Sequence, residues 1–301
     1  MARARLRILI LGSAAGGGLP QWNCGCRNCM KARRGEIPSR SQSSIAVSAD
    51  GESWAVVNAS PDIRAQLAAS PALHPGGPRA SPIRGVLVTN GDIDHIAGLL
   101  TLREQQPFVL FSTGEIAAVL RDNRVFDALD PELVERRTMG LGEPTEIAPG
   151  VTAEMFAVPG KVPLFMEEGE VRIDLEGEQT VGVRLGAGGA SAYYIPGCAR
   201  MTDALARRLR GTALVLFDGT VWRDDEMIRA GVGRKTGARM GHMAMQGPDG
   251  SLAAFADLEV ARKVYVHINN TNPVLDPETA ERRAVEDAGW IVAEDGMELT
   301  P

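Results

Sequence analysis

Short apolar runs rich in Val, Ile and Leu, broken by Gly, Pro, Asp and Asn, recur along this chain. Runs of that length between turn residues read as buried strands. Arg5 to Leu11 is the first, and Gly12-Ser13-Ala14-Ala15-Gly16-Gly17-Gly18 follows it as a loop. Ser44 to Ser48 and Ser53 to Val57 predict a hairpin around Asp50-Gly51. Ser60 reads as an N-cap with Pro61 at the first helical position, so a helix is expected through Gln66 and Leu67. Ala72 to Ser81 is a Pro- and Gly-rich surface loop carrying His74. Gly85 to Val88 is again a strand, and Ile96 to Leu100 is helix-like. Further strands are expected at Phe108–Phe111, Val151–Val158, Val171–Leu175, Thr180–Leu185 and Ala192–Ile195. Helices are expected at Thr113–Leu120, Pro131–Arg136 and Thr202–Leu209. Leu214 to Phe217 ends at Asp218 and Val264 to Val266 ends at His267, before a helix from Pro277 to Asp287 and a strand at Trp290–Val292.

Early antiparallel strands followed by strand–helix alternation imply an α/β protein of two sheets sandwiched between helices. With no internal repeat, low-complexity tract or linker, residues 1–301 read as a single domain. Composition narrows the partners. At 44% hydrophobic and 23% charged residues the chain is ordinary for a globular protein, and its net charge of −6 argues against a nucleic-acid or membrane-surface binder. No apolar run approaches the roughly 18 residues of a spanning helix. The run Ile8 to Leu11 behind Met1-Ala2-Arg3-Ala4-Arg5 is too short for a secretory core, so a cytoplasmic protein is expected.

The chemistry concentrates at strand ends. Thr89-Asn90-Gly91-Asp92-Ile93-Asp94-His95-Ile96-Ala97-Gly98 leaves an apolar strand and enters a helix, the kind of loop where α/β proteins place ligands. Two carboxylates, an amide and an imidazole there suit a divalent metal. Asp218 and His267 also stand directly after strands, as a site on one rim requires. Four histidines occur. His74 lies on a solvated loop. His242, after the glycine-rich stretch Gly231 to Gly237, is placed for acid–base work or substrate contact. Three of the four cysteines form Cys24-x-Cys26-x-x-Cys29, a spacing that favours metal over disulfides. Cys198 reads as a small residue after Pro196-Gly197. The glycine loop has neither the dinucleotide spacing nor the Lys-Ser/Thr of a P-loop, and reads as backbone needing positive φ beside a crowded site.

Four segments carry a family resemblance: Gly12 to Cys29, Asn58-Ala59-Ser60-Pro61-Asp62-Ile63-Arg64, Phe217-Asp218-Gly219-Thr220-Val221-Trp222, and His267-Ile268-Asn269-Asn270-Thr271-Asn272-Pro273. They resemble the pyrroloquinoline quinone biosynthesis B proteins (PqqB), a branch of the metallo-β-lactamase superfamily. The Asp92-x-Asp94-His95 segment is similar to that superfamily's His-x-His-x-Asp-His signature, with both leading histidines replaced, by Asn90 and Asp92. The resemblance implies a metallo-β-lactamase αββα sandwich with a structural Zn2+ on Cys24, Cys26 and Cys29. Either Asn270 or His267 could close that zinc site. In phosphodiesterase relatives the closing ligand lies three residues after the last active-site histidine, an offset that points to Asn270. The zinc loop would also support a homodimer.

The departures shape the expected function. Lys161 follows Pro159-Gly160 where a further ligand histidine is often found, and Pro196-Gly197 occupies the place of the usual bridging aspartate. A two-zinc hydrolase depends on those groups. One metal, expected as Fe2+, held by Asp92, Asp94, His95 and His267 or Asp218 is closer to a non-haem oxygenase site. The resemblance thus implies O2-dependent hydroxylation of the tyrosine ring of a small peptide-derived, Glu–Tyr-type precursor. Asp218 would be a further ligand or a base, His242 would handle phenol protons, and Lys161 would pair with a substrate carboxylate. The rival readings are a soluble carrier that assists transport of the cofactor or its precursor, and a residual metallohydrolase.

Overall fold

Alternation inside the apolar runs decides the layering. Strand β1 (Arg7–Gly12) is buried along almost its whole length, yet Ile8 and Ile10 join one apolar cluster while Leu9 and Leu11 join another. Side chains of a strand point alternately to opposite faces, so a strand buried on both sides contributes to two cores. The computed structural model describes residues 5–169, 172, 173 and 175–301. Among them β2 (Ser44–Ser48), β3 (Trp54–Val57), β4 (Ile83–Leu87), β5 (Phe108–Ser112) and β6 (Val134–Thr138) extend the first sheet from β1. The second sheet comprises β7 (Thr145–Ala148), β8 (Val151–Ala157), β9 (Val181–Ala187), β10 (Ala190–Ile195), β11 (Leu214–Asp218), β12 (Arg262–Val266) and β13 (Trp290–Val292). The last strand, β14 (Glu298–Leu299), returns to pair with β1.

The two sheets repeat one plan. In the first, β1, β2 and β3 are antiparallel and β3 through β6 run parallel. In the second, β7 through β10 are antiparallel and β10 through β13 parallel. Inner faces of both sheets meet in one cluster, where Ile45, Val57 and Leu87 face Val183, Leu216 and Val266. Helices cover the outer faces, giving the αββα order that the resemblance implied. Phe217 anchors the outer core of the second sheet, edge-on to Phe255 at 4.9 Å. Phe217→Ala is expected to cost about 3–5 kcal/mol of stability, read as a lower denaturant midpoint at unchanged slope.

Two expectations are corrected. Residues 131–136 do not form a helix: Val134 starts edge strand β6, parallel to β5, and the following Glu135, Arg136, Arg137 and Thr138 are exposed. The open edge of β5 supplied hydrogen-bond partners that this polar stretch could not find in an unsupported helix, and its charges suit an edge. Ser60 does not cap the next helix. That helix is Ile63–Ala69 with Asp62 at its N-cap, and the Ser60 hydroxyl accepts from the Asp62 N–H in the turn before it. Of the expected strand Val171–Leu175, Val171 and Asp174 lie outside the described residues. β4, β11 and β12 all run parallel to neighbours and finish at one rim, which brings the loop after β4, Asp218 and His267 together.

Candidate metal centre

The loop after β4 is set by its second-strand neighbour. Asn58, held at φ 66°, accepts the Thr89 N–H at 2.9 Å and bonds the Thr89 hydroxyl. A left-handed asparagine is an uncommon conformation that the surroundings must enforce. Asn90 follows, and its amide oxygen accepts from the Asp92 N–H at 2.9 Å and lies 2.7 Å from His95 Nδ1. Because that oxygen already receives a backbone donor, it is the acceptor, and His95 must carry its proton on Nδ1. His95 Nε2 is therefore a bare lone pair. It is buried and has no hydrogen-bond partner among the described residues. Burial, only partly opposed by Asp94, pulls the His95 pKa down to about 4 and keeps the ring neutral.

His267 comes from the end of β12, with φ 55° turning its ring back into the rim. Its Nε2 is 3.1 Å from Asp94 Oδ2, and its Nδ1 is 2.8 Å from the Thr220 hydroxyl. Burial disfavours charge on Asp94, but His95 and His267 more than offset it and hold the carboxyl below its usual range. Burial likewise disfavours charge on His267, yet Asp94 raises its pKa. If His267 gives its Nδ1 proton to Thr220, a carboxylate oxygen and a lone pair face each other at 3.1 Å. A cation belongs between them, either a proton or a metal ion. Asp94, His95 and His267 place their ligand atoms within 4.8 Å of one another, so the orphaned His95 Nε2 and this pair fit a divalent metal.

A second group shares His267. Asp218, His242 and His267 also fall within 4.8 Å. Asp218 is fully buried and saturated: its oxygens accept from the Cys198 N–H, the Thr220 N–H, the Thr220 hydroxyl and His242 Nδ1 at 2.7 Å. That is close to all a carboxylate can take, so Asp218 orients His242 and Thr220. Burial opposes its charge, but His242 and the hydrogen bonds win and its pKa is lowered. The Thr220 hydroxyl lies 3.1 Å from His242 Nδ1 and links both histidines to Asp218. Thr220 was overlooked in the sequence, although it follows Asp218-Gly219 directly.

Asp92 and Lys161 have protein partners of their own. Asp92 sits at the N-cap of the short helix Ile93–Ile96 and turns its Oδ1 to the Leu164 N–H at 3.2 Å. It does not join the cluster of Asp94, His95 and His267. Lys161 is already engaged, 3.1 Å from Glu167 and only 10% exposed. Glu167 also takes both Nη atoms of Arg239, at 2.9 and 3.2 Å. His74 is exposed on its loop, against the Ala68 carbonyl.

The cysteines form a separate site. Cys26 precedes the helix Arg27–Arg33, which carries Cys29 in its first turn. The Asn270 amide nitrogen lies 3.2, 3.6 and 3.3 Å from the sulfurs of Cys24, Cys26 and Cys29. Asn28 ties the two segments by donating to the Asn270 and Asn272 carbonyls at 3.0 and 2.8 Å. Asn270, not His267, therefore faces the thiols, because His267 points into the other site. Burial raises the Cys24 pKa, but the Cys26 N–H and neighbouring groups reverse this and lower it, while burial drives Cys26 up to about 12. Glycines keep the intervening loop close: Gly17 and Gly18 have positive φ, and a Cβ on Gly16 would lie 3.3 Å from Asp94 Oδ2.

Two expected outcomes follow from these contacts. Asn90→Ala frees His95 Nδ1 and should weaken metal binding about 10- to 100-fold, as loss of a ligand-orienting partner does; chelator competition reads this. For Glu167, the Arg239 hydrogen bonds, then Lys161, hold the pKa down from 4.5 to about 2. A depressed acid adds stability above its unfolded value and loses it as pH falls through the folded one. Thermal midpoints of the native protein and of Glu167→Gln should therefore differ above pH 4.5 and converge toward pH 2.

Comparison with known proteins agrees with this layout. Residues 53–268 match the Beta-lactamase superfamily domain. The chain is 58% identical over 298 residues to "Coenzyme PQQ synthesis protein B" of Methylobacterium sp. (strain 4-46), covering 98% of this chain and 100% of that one. The protein of the same name from Ruegeria pomeroyi is 58% identical, over 98% and 99% of the two chains. The crystal structure of Zn(2+)-bound PqqB from Methylobacterium extorquens superposes with a TM-score of 0.96 at 56% identity, covering 97% of this chain and 99% of that one. A diphosphatase of the PhnP family shares the fold, with a TM-score of 0.72 at 21% identity over 99% and 97% of the chains.

Proposed function

This chain belongs to the coenzyme PQQ synthesis protein B family of the beta-lactamase superfamily, and from that premise we propose that it hydroxylates the tyrosine ring of a Glu–Tyr-derived precursor in pyrroloquinoline quinone biosynthesis, using iron, O2 and two electrons from an external reductant, with the second oxygen atom leaving as water. The observation that carries the proposal is the donor set of Asp94, His95 and His267. Two imidazoles and one carboxylate are what non-haem Fe(II) oxygenases use, with positions left for oxygen and substrate. Iron there would supply the one-electron chemistry with O2 that side chains lack. The residues around it do the rest. Asn90 and Thr220 orient the two ligand imidazoles. His242, fixed by Asp218, is 17% exposed and takes a proton from the substrate phenol. A cavity of about 580 Å³, lined by His242, Met243, Arg200 and Arg223, has room for a dipeptide-sized molecule.

Cys24, Cys26 and Cys29 are proposed to hold a structural Zn2+, with Asn270 as fourth ligand through its amide oxygen once the side-chain amide is flipped toward the thiolates. Such thiolate ligation suits a reducing cytoplasm, and among the described residues no helix is long and apolar enough to cross a membrane. A homodimer would cover Trp22, which is 86% exposed on the cysteine loop.

The paired clusters sharing His267 favour one other reading, a two-metal hydrolase. The test is anaerobic loading with Fe(II), then air, excess ascorbate as electron donor and a Glu–Tyr dipeptide, with mass spectrometry for oxygen incorporation and Asp94→Ala as control. Oxygenated product lost in the control supports the hydroxylase. Two tightly held zinc ions per site with hydrolytic turnover support the hydrolase. Tight ligand binding without oxygen consumption by iron-loaded protein supports a carrier.

A further inference from the structure

Beside the metal site three cations converge on one carboxylate. Glu167 is 8% exposed and takes Lys161 at 3.1 Å, Arg239 at 2.9 Å and Lys235 at 3.8 Å. Lys161 lies between the two halves of the site. Its Cγ would be 3.3 Å from a Cβ on Gly241, the residue before His242, and its charge acts on the Asp92 carboxyl. Asp92 in turn holds the Leu164 N–H, so residues 161–167 strap the rim between Asp92 and the His242 turn. Three cations therefore crowd one carboxylate in a chain whose net charge is −6.

The outer two cations are not fully used. Lys235 is 39% exposed, and 3.8 Å is a loose ion pair. Arg239 is 37% exposed and presents its fork, the geometry that binds carboxylates bidentately, to Glu167. A planar two-pronged donor with two ammonium groups beside it is a carboxylate receptor, and Glu167 is the carboxylate now in it. The turn that carries Glu167 is tied at Leu164 by Asp92, and its apolar side chains Leu164, Phe165 and Met166 are 56%, 47% and 46% exposed.

We propose that Lys161, Lys235 and Arg239 form a carboxylate-binding subsite at the mouth of the metal site, and that Glu167 is an internal carboxylate which a substrate carboxylate displaces. This rests on the reading of Asp94, His95 and His267 as the reaction centre and names a substrate class for it, a small molecule bearing a carboxylate. Lys161 alone is not the receptor, because it is the most enclosed of the three. Glu167 sets the selectivity: a ligand must outcompete a tethered carboxylate, so neutral aromatics gain nothing from the triad.

The experiment is calorimetric titration of the purified, metal-bearing protein with glutarate, and separately with inorganic phosphate. Glu167→Gln keeps the side chain's shape and removes its charge, and is expected to bind glutarate about 10-fold more tightly than the native protein, the scale of one charge-assisted hydrogen bond. Glu167→Gln/Arg239→Met should lose that gain, and thermal midpoints confirm that both variants fold. Equal glutarate affinity in native protein and Glu167→Gln overturns the proposal, as does a gain that survives Arg239→Met. Phosphate tightening as much as glutarate overturns the carboxylate assignment. Because this readout is binding, the subsite can stand if the Glu–Tyr dipeptide is never oxygenated, and it falls if the glutarate result fails even where the dipeptide is oxygenated.

Discussion

His267→Ala is expected to abolish turnover and strip the active-site metal, because one imidazole serves both ligand groups. Its Nε2 faces Asp94 and its Nδ1 faces Thr220, and its ring lies 5.4 Å from His95 and 5.1 Å from His242, centroid to centroid. Losing it leaves Asp94 with one neighbouring imidazole and breaks the tie to Asp218. Removing a group that merely orients a ligand costs about 10- to 100-fold in affinity, so removing the ligand itself should cost more than about 100-fold. Metal analysis after dialysis should find active-site metal below a tenth of native, at about that cost in affinity, with turnover at background. His267 sits at φ 55°, where alanine is strained, so part of any stability loss will be backbone cost of about 1–2 kcal/mol. His267→Asn separates the two effects, since asparagine tolerates that conformation. Native-like metal content and turnover in both variants would remove His267 from the site.

The second large effect belongs to the cysteine loop. Cys29→Ser is expected to release one zinc ion per chain and destabilise the protein by about 3 kcal/mol or more, a part of the roughly 10–16 kcal/mol that structural zinc supplies to small peptide folds. Cys29 is fully buried, with its sulfur 3.4 Å from the Gln21 N–H and 3.3 Å from the Asn270 amide. Without the metal the helix Arg27–Arg33 keeps its contacts through Asn28, so the fold should survive while the loop loosens. Urea unfolding with and without a chelator measures this. The chelator should lower the native midpoint more than that of Cys29→Ser, which has only active-site metal left to lose. Equal stability and equal zinc content in the two proteins would refute a structural metal there. Active-site metal should persist in Cys29→Ser, because its ligands belong to a different set.

Much of this site was legible in the residue order. Asp94, His95, Asp218 and His267 all stand where an apolar strand stops, and parallel strands that stop together make a rim. The Cys-x-Cys-x-x-Cys spacing by itself pointed to clustered thiols, and the three sulfurs do converge. The glycines beside it signalled close backbone, as Gly16 against Asp94 shows. What failed was direction and competition. Asp92 and Asp94 are two residues apart and looked equivalent, but Asp92 lies at a helix cap turned toward Leu164 while Asp94 lies within the first turn, facing His267. Lys161 reads in the sequence as a partner for a substrate carboxylate, and the fold brings it a carboxylate of its own, Glu167, shared with Arg239.

The order of residues alone determined most of the strands, their alternation into two-faced layers and the identity of most donors, because burial period and strand ends are local properties. The tertiary structure alone decided which donors converge. It put the edge of β5 beside residues 134–138 and made a strand of them. It set Asn270 against the thiols and His267 against Asp94, although the two are three residues apart on one turn. It also left His95 Nε2 without a hydrogen-bond partner among the described residues. Each of these depends on partners distant in the chain, and a side chain's role at a rim is set by which of its possible partners arrives within about 3 Å.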